Sequence, residues 1–219
     1  MIVNKKHIIL ATLILISSLN VHAAKNEWTF IVNFSDLHLI GSDHHLKSFR
    51  WFQSVGKFSN LCNASYFTSR DAVGPYITDL KIKTSNVYDW WWIGWNCDTA
   101  IVSNKTVNQL DKMRLNYLVA GTPILIRNNK QVSKKEMLES CTNKFFYRKC
   151  PRTAIGILKN KIVIYITSSA SILELQARMQ SIGCSYALNL DGGGSTFIKT
   201  NQIQYPKKIT RKYPNCLAW

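Results

Sequence analysis

The run Ala187-Leu188-Asn189-Leu190-Asp191-Gly192-Gly193-Gly194-Ser195-Thr196-Phe197 constrains this chain more than any other stretch. Three consecutive glycines lose the most backbone entropy on folding. A packed domain keeps them where the chain turns sharply or its backbone approaches another group closely. Successive N–H groups in such a turn can converge on an anion. Asp191, beside them, is placed to act as a base, a nucleophile or an orienting group. A plain hairpin turn and a Gly/Ser linker are the competing readings, and a motif this short does not decide among them.

The N-terminus reads as a leader. Lys5 and Lys6 precede the apolar run Ile8 to Ile16, and Val21-His22-Ala23 supplies a small-residue cleavage pattern, the form of a secretory signal peptide spanning 1–23. The apolar run is too short for a membrane span, so no stable membrane insertion is expected. The remaining 24–219 form one domain, exported to the periplasm or secreted. Loss of Lys5 and Lys6 takes the formal charge from +16 to +14. That balance favours an anionic partner, a phosphate-containing or acidic glycan among them. The basic residues are scattered apart from Lys207, Lys208, Arg211 and Lys212, and no nucleic-acid-binding motif is present, so no specific nucleic acid is expected. The six cysteines of an exported chain predict disulfides, with Cys141 and Cys150 the preferred local pair. Their spacing does not match structural zinc. His44-His45 is a weak metal candidate beside the commoner reading of surface histidines, and the sequence assigns neither a metal nor a cofactor nor an oligomeric state.

Alternating stretches predict strands at Trp28 to Phe34 and Tyr76 to Ile82. Residues 117–133 read as a hairpin, with Tyr117 to Ala120, a break at Gly121-Thr122-Pro123, Ile124 to Arg127 and a turn at Asn128-Asn129-Lys130. Residues 154–166 repeat the pattern around Lys159-Asn160-Lys161. In Asp89-Trp90-Trp91-Trp92-Ile93-Gly94-Trp95, neighbouring indoles point to opposite faces, so they cannot all enter one core. At least one is expected exposed or half-exposed, where it could stack on a sugar ring; burial against loops and disulfides is the slightly favoured alternative. One helix is strongly marked. Ser171 and Glu174 form a capping box, Ile172, Leu175, Met179 and Ile182 share a face, and Gly183 ends it. The fold class expected is α+β: a single, disulfide-stabilised domain with a twisted, mostly antiparallel or mixed sheet and few helices.

Four segments in this order carry a likeness: Asn63-Ala64-Ser65-Tyr66-Phe67, Ala120-Gly121-Thr122-Pro123-Ile124-Leu125-Ile126, Pro151-Arg152-Thr153-Ala154-Ile155-Gly156-Ile157 and Asn189-Leu190-Asp191-Gly192-Gly193-Gly194-Ser195. Together they resemble the phosphodiester glycosidase family over roughly residues 55–200. The resemblance implies hydrolysis of a glycosyl-1-phosphodiester of the N-acetylglucosamine-1-phosphate type. It implies Asp191, Arg152 and Thr153 as catalytic residues, and Asn63, Phe67, Asn189, Gly192, Gly193, Gly194 and Ser195 as substrate-binding residues. Two departures stand out. Ala64 and Ser65 replace glycines of the family segment, and Thr167-Ser168-Ser169 stands where the family usually has Asp-Gly.

A sugar 1-phosphodiester carries a good leaving group, so charge neutralisation and a well-placed carboxylate matter more than a strong acid. Arg152 has the planar, permanent charge for the phosphate, with a structural ion pair as its alternative reading. Asp191 suits the sugar centre or the attacking water. Asp71 and Asp79 are the nearest candidates for a second carboxylate. The missing Asp-Gly, the positive charge and the tryptophans also support a different protein: a catalytically silent binding protein for anionic or phosphorylated glycans.

Overall fold

The computed structural model describes residues 26–42, 45–79, 81–85 and 88–219. The leader expected at 1–23 and His44 lie outside the described residues. The strand Glu27–Asn33 runs antiparallel to Lys161–Ala170, which pairs in turn with Cys150–Leu158. Cys150–Leu158 then pairs with Tyr186–Asn189, followed by Ile124–Arg127 and Lys130–Gln131. These six strands form the largest sheet. Its centre is a long hairpin turning at Lys159, whose φ is 54°. Ile155, Ile162, Val163 and Ile164 are all 0 % exposed, and burying a side chain of this size contributes roughly 1.5–3 kcal/mol.

A second sheet orders Gln204–Tyr205, Ile198–Lys199, Leu61–Asn63, Asn215–Ala218 and His38–Gly41. A third orders Ile82–Lys83, Tyr76–Ile77, Tyr117–Gly121, Trp91–Trp95 and Ala100–Ser103. Val32, Leu39, Cys62, Ile93, Val119 and Leu217 come from these three sheets into one core, so the layers form a single domain; Lys47–Ser48 and Lys212–Tyr213 make a further two-stranded sheet.

The expected hairpin over 117–133 is divided between two sheets. Tyr117–Gly121 joins the third sheet and Ile124–Arg127 the first, with a cis Thr122-Pro123 bond between them. The paired hairpin here is Ile124–Arg127 with Lys130–Gln131, turning on Asn128 and Asn129 at φ 52° and 63°. The strand expected at 76–82 is two short strands that pair with each other. Five α-helices occur among the described residues, Phe49–Gly56, Gln109–Arg114, Lys134–Glu139, Asn143–Tyr147 and Ile172–Ile182. The last has its capping box in place: Glu174 N donates to Ser171 Oγ and Ser171 N donates to Glu174 Oε2 at 2.8 Å. Its buried Gln176 donates to the Leu125 and Val132 carbonyls, both at 2.8 Å, tying the helix to the short hairpin.

The expectation of a disulfide-stabilised fold is overturned, because all six cysteines are free thiols. Cys62 stands opposite Leu217 and Cys216 opposite Asn63 on adjacent strands. The pleat therefore sends the two sulfurs to opposite faces, into different core clusters. Cys141, expected to pair with Cys150, instead donates to the Met137 carbonyl at 3.2 Å. Cys184 packs over Gly156, and Cys97 is exposed. The three buried thiols serve as small apolar side chains.

Candidate functional site

The glycine run leaves the end of Tyr186–Asn189 and folds over the Arg152 strand. Leu190 N donates to Thr153 O (2.9 Å) and Asp191 N to Ala64 O (3.2 Å), so the turn is fastened to two neighbours. Gly192 has extended backbone, and a Cβ there would stand 2.9 Å from the Pro151 carbonyl oxygen. Gly193 has φ +61°, the left-handed region. Ser195 N and Thr196 N donate to Gly192 O and Gly193 O, and Gly192 N donates to Asp191 Oδ1 at 2.9 Å. Three of the turn's N–H groups are therefore committed within the turn rather than presented to a ligand.

Asp191 is half-buried. Burial pushes its carboxyl above the ordinary value, against the opposing pull of a Ser195 hydrogen bond, the Gly192 N–H and the Arg211 charge. Arg211 is exposed and donates from Nη1 to Ser195 Oγ at 2.7 Å. Its guanidinium lies 5.6 Å from the centroid of the Phe67 ring. Phe67 thus enters the site as a platform for a cation.

Asn63 is 1 % exposed and every polar atom of its side chain is engaged. Its Nδ2 donates to Asp191 O at 2.7 Å, and its Oδ1 accepts from Thr153 Oγ1 at 2.7 Å and Phe197 N at 3.2 Å. Both Asn63 and Thr153 hold the turn from below. Asn189, fully buried, donates from Nδ2 to the Tyr66 hydroxyl and to Thr122 O at 2.8 Å. Tyr66 donates to the same carbonyl at 2.9 Å. Close approach here requires Gly121, where a Cβ would stand 2.5 Å from Asn189 O. Burial raises the Tyr66 phenol well above its ordinary value, Asp191 adds to the rise and Arg152 opposes it, so both charges act on one hydroxyl. Outward from Tyr66, Trp90 meets it edge-on at 5.3 Å and stacks on the exposed Tyr88 at 5.4 Å. Trp92 and Trp95 are buried, their indoles donating to the Lys105 and Leu37 carbonyls.

Arg152 is 0 % exposed. Its Nε donates to Ala170 O (3.2 Å), and its Nη2 to Phe145 O (2.9 Å) and Arg148 O (3.0 Å), with the Phe145 ring 4.4 Å away. Its Nη1 is buried without a partner. No carboxylate pairs with it among the described residues, so it is not a structural ion pair. A buried cation is stable only when paired or well hydrogen-bonded, and three carbonyls and a ring take the place of an anion here. Opposite it in the ladder is Thr167, buried, whose hydroxyl accepts from Ser169 N two residues along the same strand. This is the point where the resemblance led to an expected aspartate.

Neither second-carboxylate candidate joins Asp191. Asp71 binds Lys81 at 3.0 Å, the Tyr76 hydroxyl at 3.1 Å and Ala72 N at 2.8 Å. Burial pushes its carboxyl up, but these bonds outweigh it and the net shift is downward. Asp79 acts on Tyr117, whose hydroxyl meets His38 Nδ1 at 2.6 Å. Among the described residues, no group of three or more His, Cys, Asp or Glu side chains gathers to hold a metal.

The structure brings Asn63, Phe67, Arg152, Thr153, Asn189 and Asp191 to Ser195 into one connected region. It adds Tyr66, Thr122 and Arg211, which residue-by-residue reading missed. Tyr66 and Thr122 lie inside the segments that carry the family likeness, whereas Arg211 stands in sequence only beside Lys207, Lys208 and Lys212.

A family model described as phosphodiester glycosidase matches residues 60–219. A search of curated proteins returns no match. Among solved structures, the chain is similar to the catalytic domain of zebrafish N-acetylglucosamine-1-phosphodiester alpha-N-acetylglucosaminidase, auto-inhibited by its pro-peptide. The TM-score is 0.71 at 16 % identity, covering 92 % of this chain and 86 % of that one. It is also similar to a hypothetical protein from Synechocystis, with TM-score 0.73 and 12 % identity, covering 92 % of this chain and 61 % of the other.

Proposed function

This chain belongs to the phosphodiester glycosidase family, and we propose that it hydrolyses a glycosyl-1-phosphodiester of the N-acetylglucosamine-1-phosphate type in a glycan. The observation that carries the reading is the half-buried Asp191, its proton affinity raised, on a glycine turn between the exposed Arg211 and the buried, counter-ion-free Arg152. The phosphate docks on Arg211, which keeps N–H donors beyond the one given to Ser195. Arg152 adds a field that solvent screens little, because the cation is buried. Asp191 takes a proton from water as the water oxygen bonds to the anomeric carbon. The bond from that carbon to the ester oxygen breaks, and its electrons leave with the phosphomonoester. That leaving group needs no protonation, which fits a site with one carboxylate. Thr153 and Asn63 position Asp191 rather than touching substrate. The lysine pair and apolar run of residues 1–23 support an exported protein.

The test is release of free sugar from an N-acetylglucosamine-1-phosphodiester by the wild-type chain and by Asp191→Asn. The expected result is turnover by the first and none by the second. Thr167 beside Arg152 favours the one rival, a binding protein for phosphorylated glycans. Saturable binding of the diester by both proteins with no sugar released by either would establish that rival.

A further inference from the structure

A cleft of about 670 Å³ lies between the outer edge of Glu27–Asn33 and the turn at residues 200–203, and none of its lining residues belongs to the Asp191 region. Such a volume lies within the usual range for small-ligand sites. Glu27–Asn33 ends the six-stranded sheet, so one edge of it faces this cleft. The aromatic rings of Phe30 and Trp219 line it, with centroids 5.0 Å apart.

The walls are fixed before any ligand arrives. Trp219 and Asn60 exchange both backbone bonds, at 3.0 and 3.1 Å. Thr200 Oγ1 accepts from Gln202 N (3.1 Å) and Ile203 N (2.8 Å), which holds the opposite turn. Asp36 is held by Asn33 Nδ2 at 2.7 Å and Ser35 Oγ at 2.9 Å. In contrast, the side-chain amides of Asn60, Asn201 and Gln202 and the indole N–H of Trp219 bond to nothing among the described residues. Among the described residues, the charged side chains in the lining are Asp36 and Lys161, one of each sign, in a chain of formal charge +16.

Rigid half-buried rings, free carboxamides and balanced charge fit a ligand with apolar faces and many neutral hydroxyls. We propose that this cleft is a second, non-catalytic carbohydrate site that takes a short neutral oligosaccharide. The site goes beyond the phosphodiester reaction and does not depend on it. A peptide adding to the strand edge is the other use for such a groove. It is disfavoured because the Phe30 and Trp219 rings, both lining the cleft, meet with centroids 5.0 Å apart, leaving room for a short ligand rather than a strand. Asn60 and Thr200 each lie three residues along the chain from the buried Asn63 and Phe197, so strand rise sets the cleft on the order of 10 Å from the base of the Asp191 turn.

The test uses calorimetric titration of the purified chain with maltotriose, cellotriose and chitotriose, none of which carries phosphate. At least one is expected to bind saturably, and Trp219→Ala should weaken it by about tenfold or more. The double variant Asn201→Ala, Gln202→Ala lies on an exposed turn outside the core and should weaken binding similarly, which guards against misfolding of the Trp219 variant. Asp191→Asn should leave the affinity unchanged, so this site and the catalytic reading fail separately. The proposal is overturned if no trisaccharide saturates. It also falls if binding survives the double variant, or if an extended peptide occupies the cleft and the sugars do not.

Discussion

The three glycines of the central turn are not equivalent, and alanine substitution at each should separate their roles. At Gly192 the backbone is already extended, so a new Cβ brings no conformational strain, but it would meet the Pro151 carbonyl oxygen at 2.9 Å. Backbone must then move against backbone, and overpacking of that kind costs about 1–3 kcal/mol. At Gly193 there is open space around the Cβ position but φ is +61°, and the left-handed region costs a non-glycine residue roughly 1–2 kcal/mol. At Gly194 the nearest atom is Arg211 Nη1 at 3.6 Å, an ordinary contact, and no positive φ intervenes. Gly194→Ala should therefore be neutral or stabilising by about 0.4–1 kcal/mol through loss of unfolded-state freedom. Urea unfolding measures all three. With a slope of roughly 2 kcal/mol per molar, Gly192→Ala should lower the midpoint by about 0.5–1.5 M and Gly193→Ala by about 0.5–1 M, while Gly194→Ala leaves it equal or higher. Equal losses at all three positions, or the largest at Gly194, would refute the argument.

Other outcomes follow from the same contacts. Asn63→Ala leaves the Asp191 carbonyl, the Thr153 hydroxyl and the Phe197 N–H unpaired in a buried place, so denaturant titration should register a loss of about 3 kcal/mol or more. Because burial holds the Asp191 carboxyl above its ordinary 3.8, its stabilising contribution is complete below that pH and is lost as pH rises through the raised value. Asp191→Asn should therefore be more stable than wild type at neutral pH and indistinguishable from it in acid, as followed by thermal melts across pH. Arg211→Ala removes an exposed charge with one hydrogen bond, so KM for the phosphodiester should rise by about tenfold with the melting temperature nearly unchanged. Glu174→Ala breaks the capping box and the Lys149 contact, and should cost about 1 kcal/mol of unfolding free energy.

Local signals in the sequence are legible where the local rule is also the global one. The Ser171 and Glu174 cap, Gly183 and the turn at Lys159 each depend on neighbours a few residues away, and each stands as local chemistry dictates. The split at Gly121-Thr122-Pro123 did not follow from local pattern, because two apolar runs across a break look alike whether they pair or enter different sheets. The cysteines misled for a related reason. An even count in an exported chain predicts cross-links, but the register of Leu61–Asn63 with Asn215–Ala218 puts Cys62 and Cys216 on opposite faces. The site divides in the same way. Its segments were visible as motifs, yet what each side chain does depends on contacts across long sequence separations. The resemblance implies Asn63 as a substrate-binding residue, and its side chain bonds Asp191 O, Thr153 Oγ1 and Phe197 N, partners 90 to 134 residues away. Arg211 was one basic residue among several until it met Ser195 and Phe67.

In the proposed reaction Asp191 directs water to the anomeric carbon, so that the sugar–oxygen bond breaks and not the phosphorus–oxygen bond. Hydrolysis of the N-acetylglucosamine-1-phosphodiester in heavy-oxygen water, followed by mass spectrometry of the released phosphomonoester, tests it most directly. The expected product is a phosphomonoester free of the heavy isotope, formed by wild type and not by Asp191→Asn. Heavy oxygen in the phosphate, or unlabelled product formed equally fast by the variant, would contradict it.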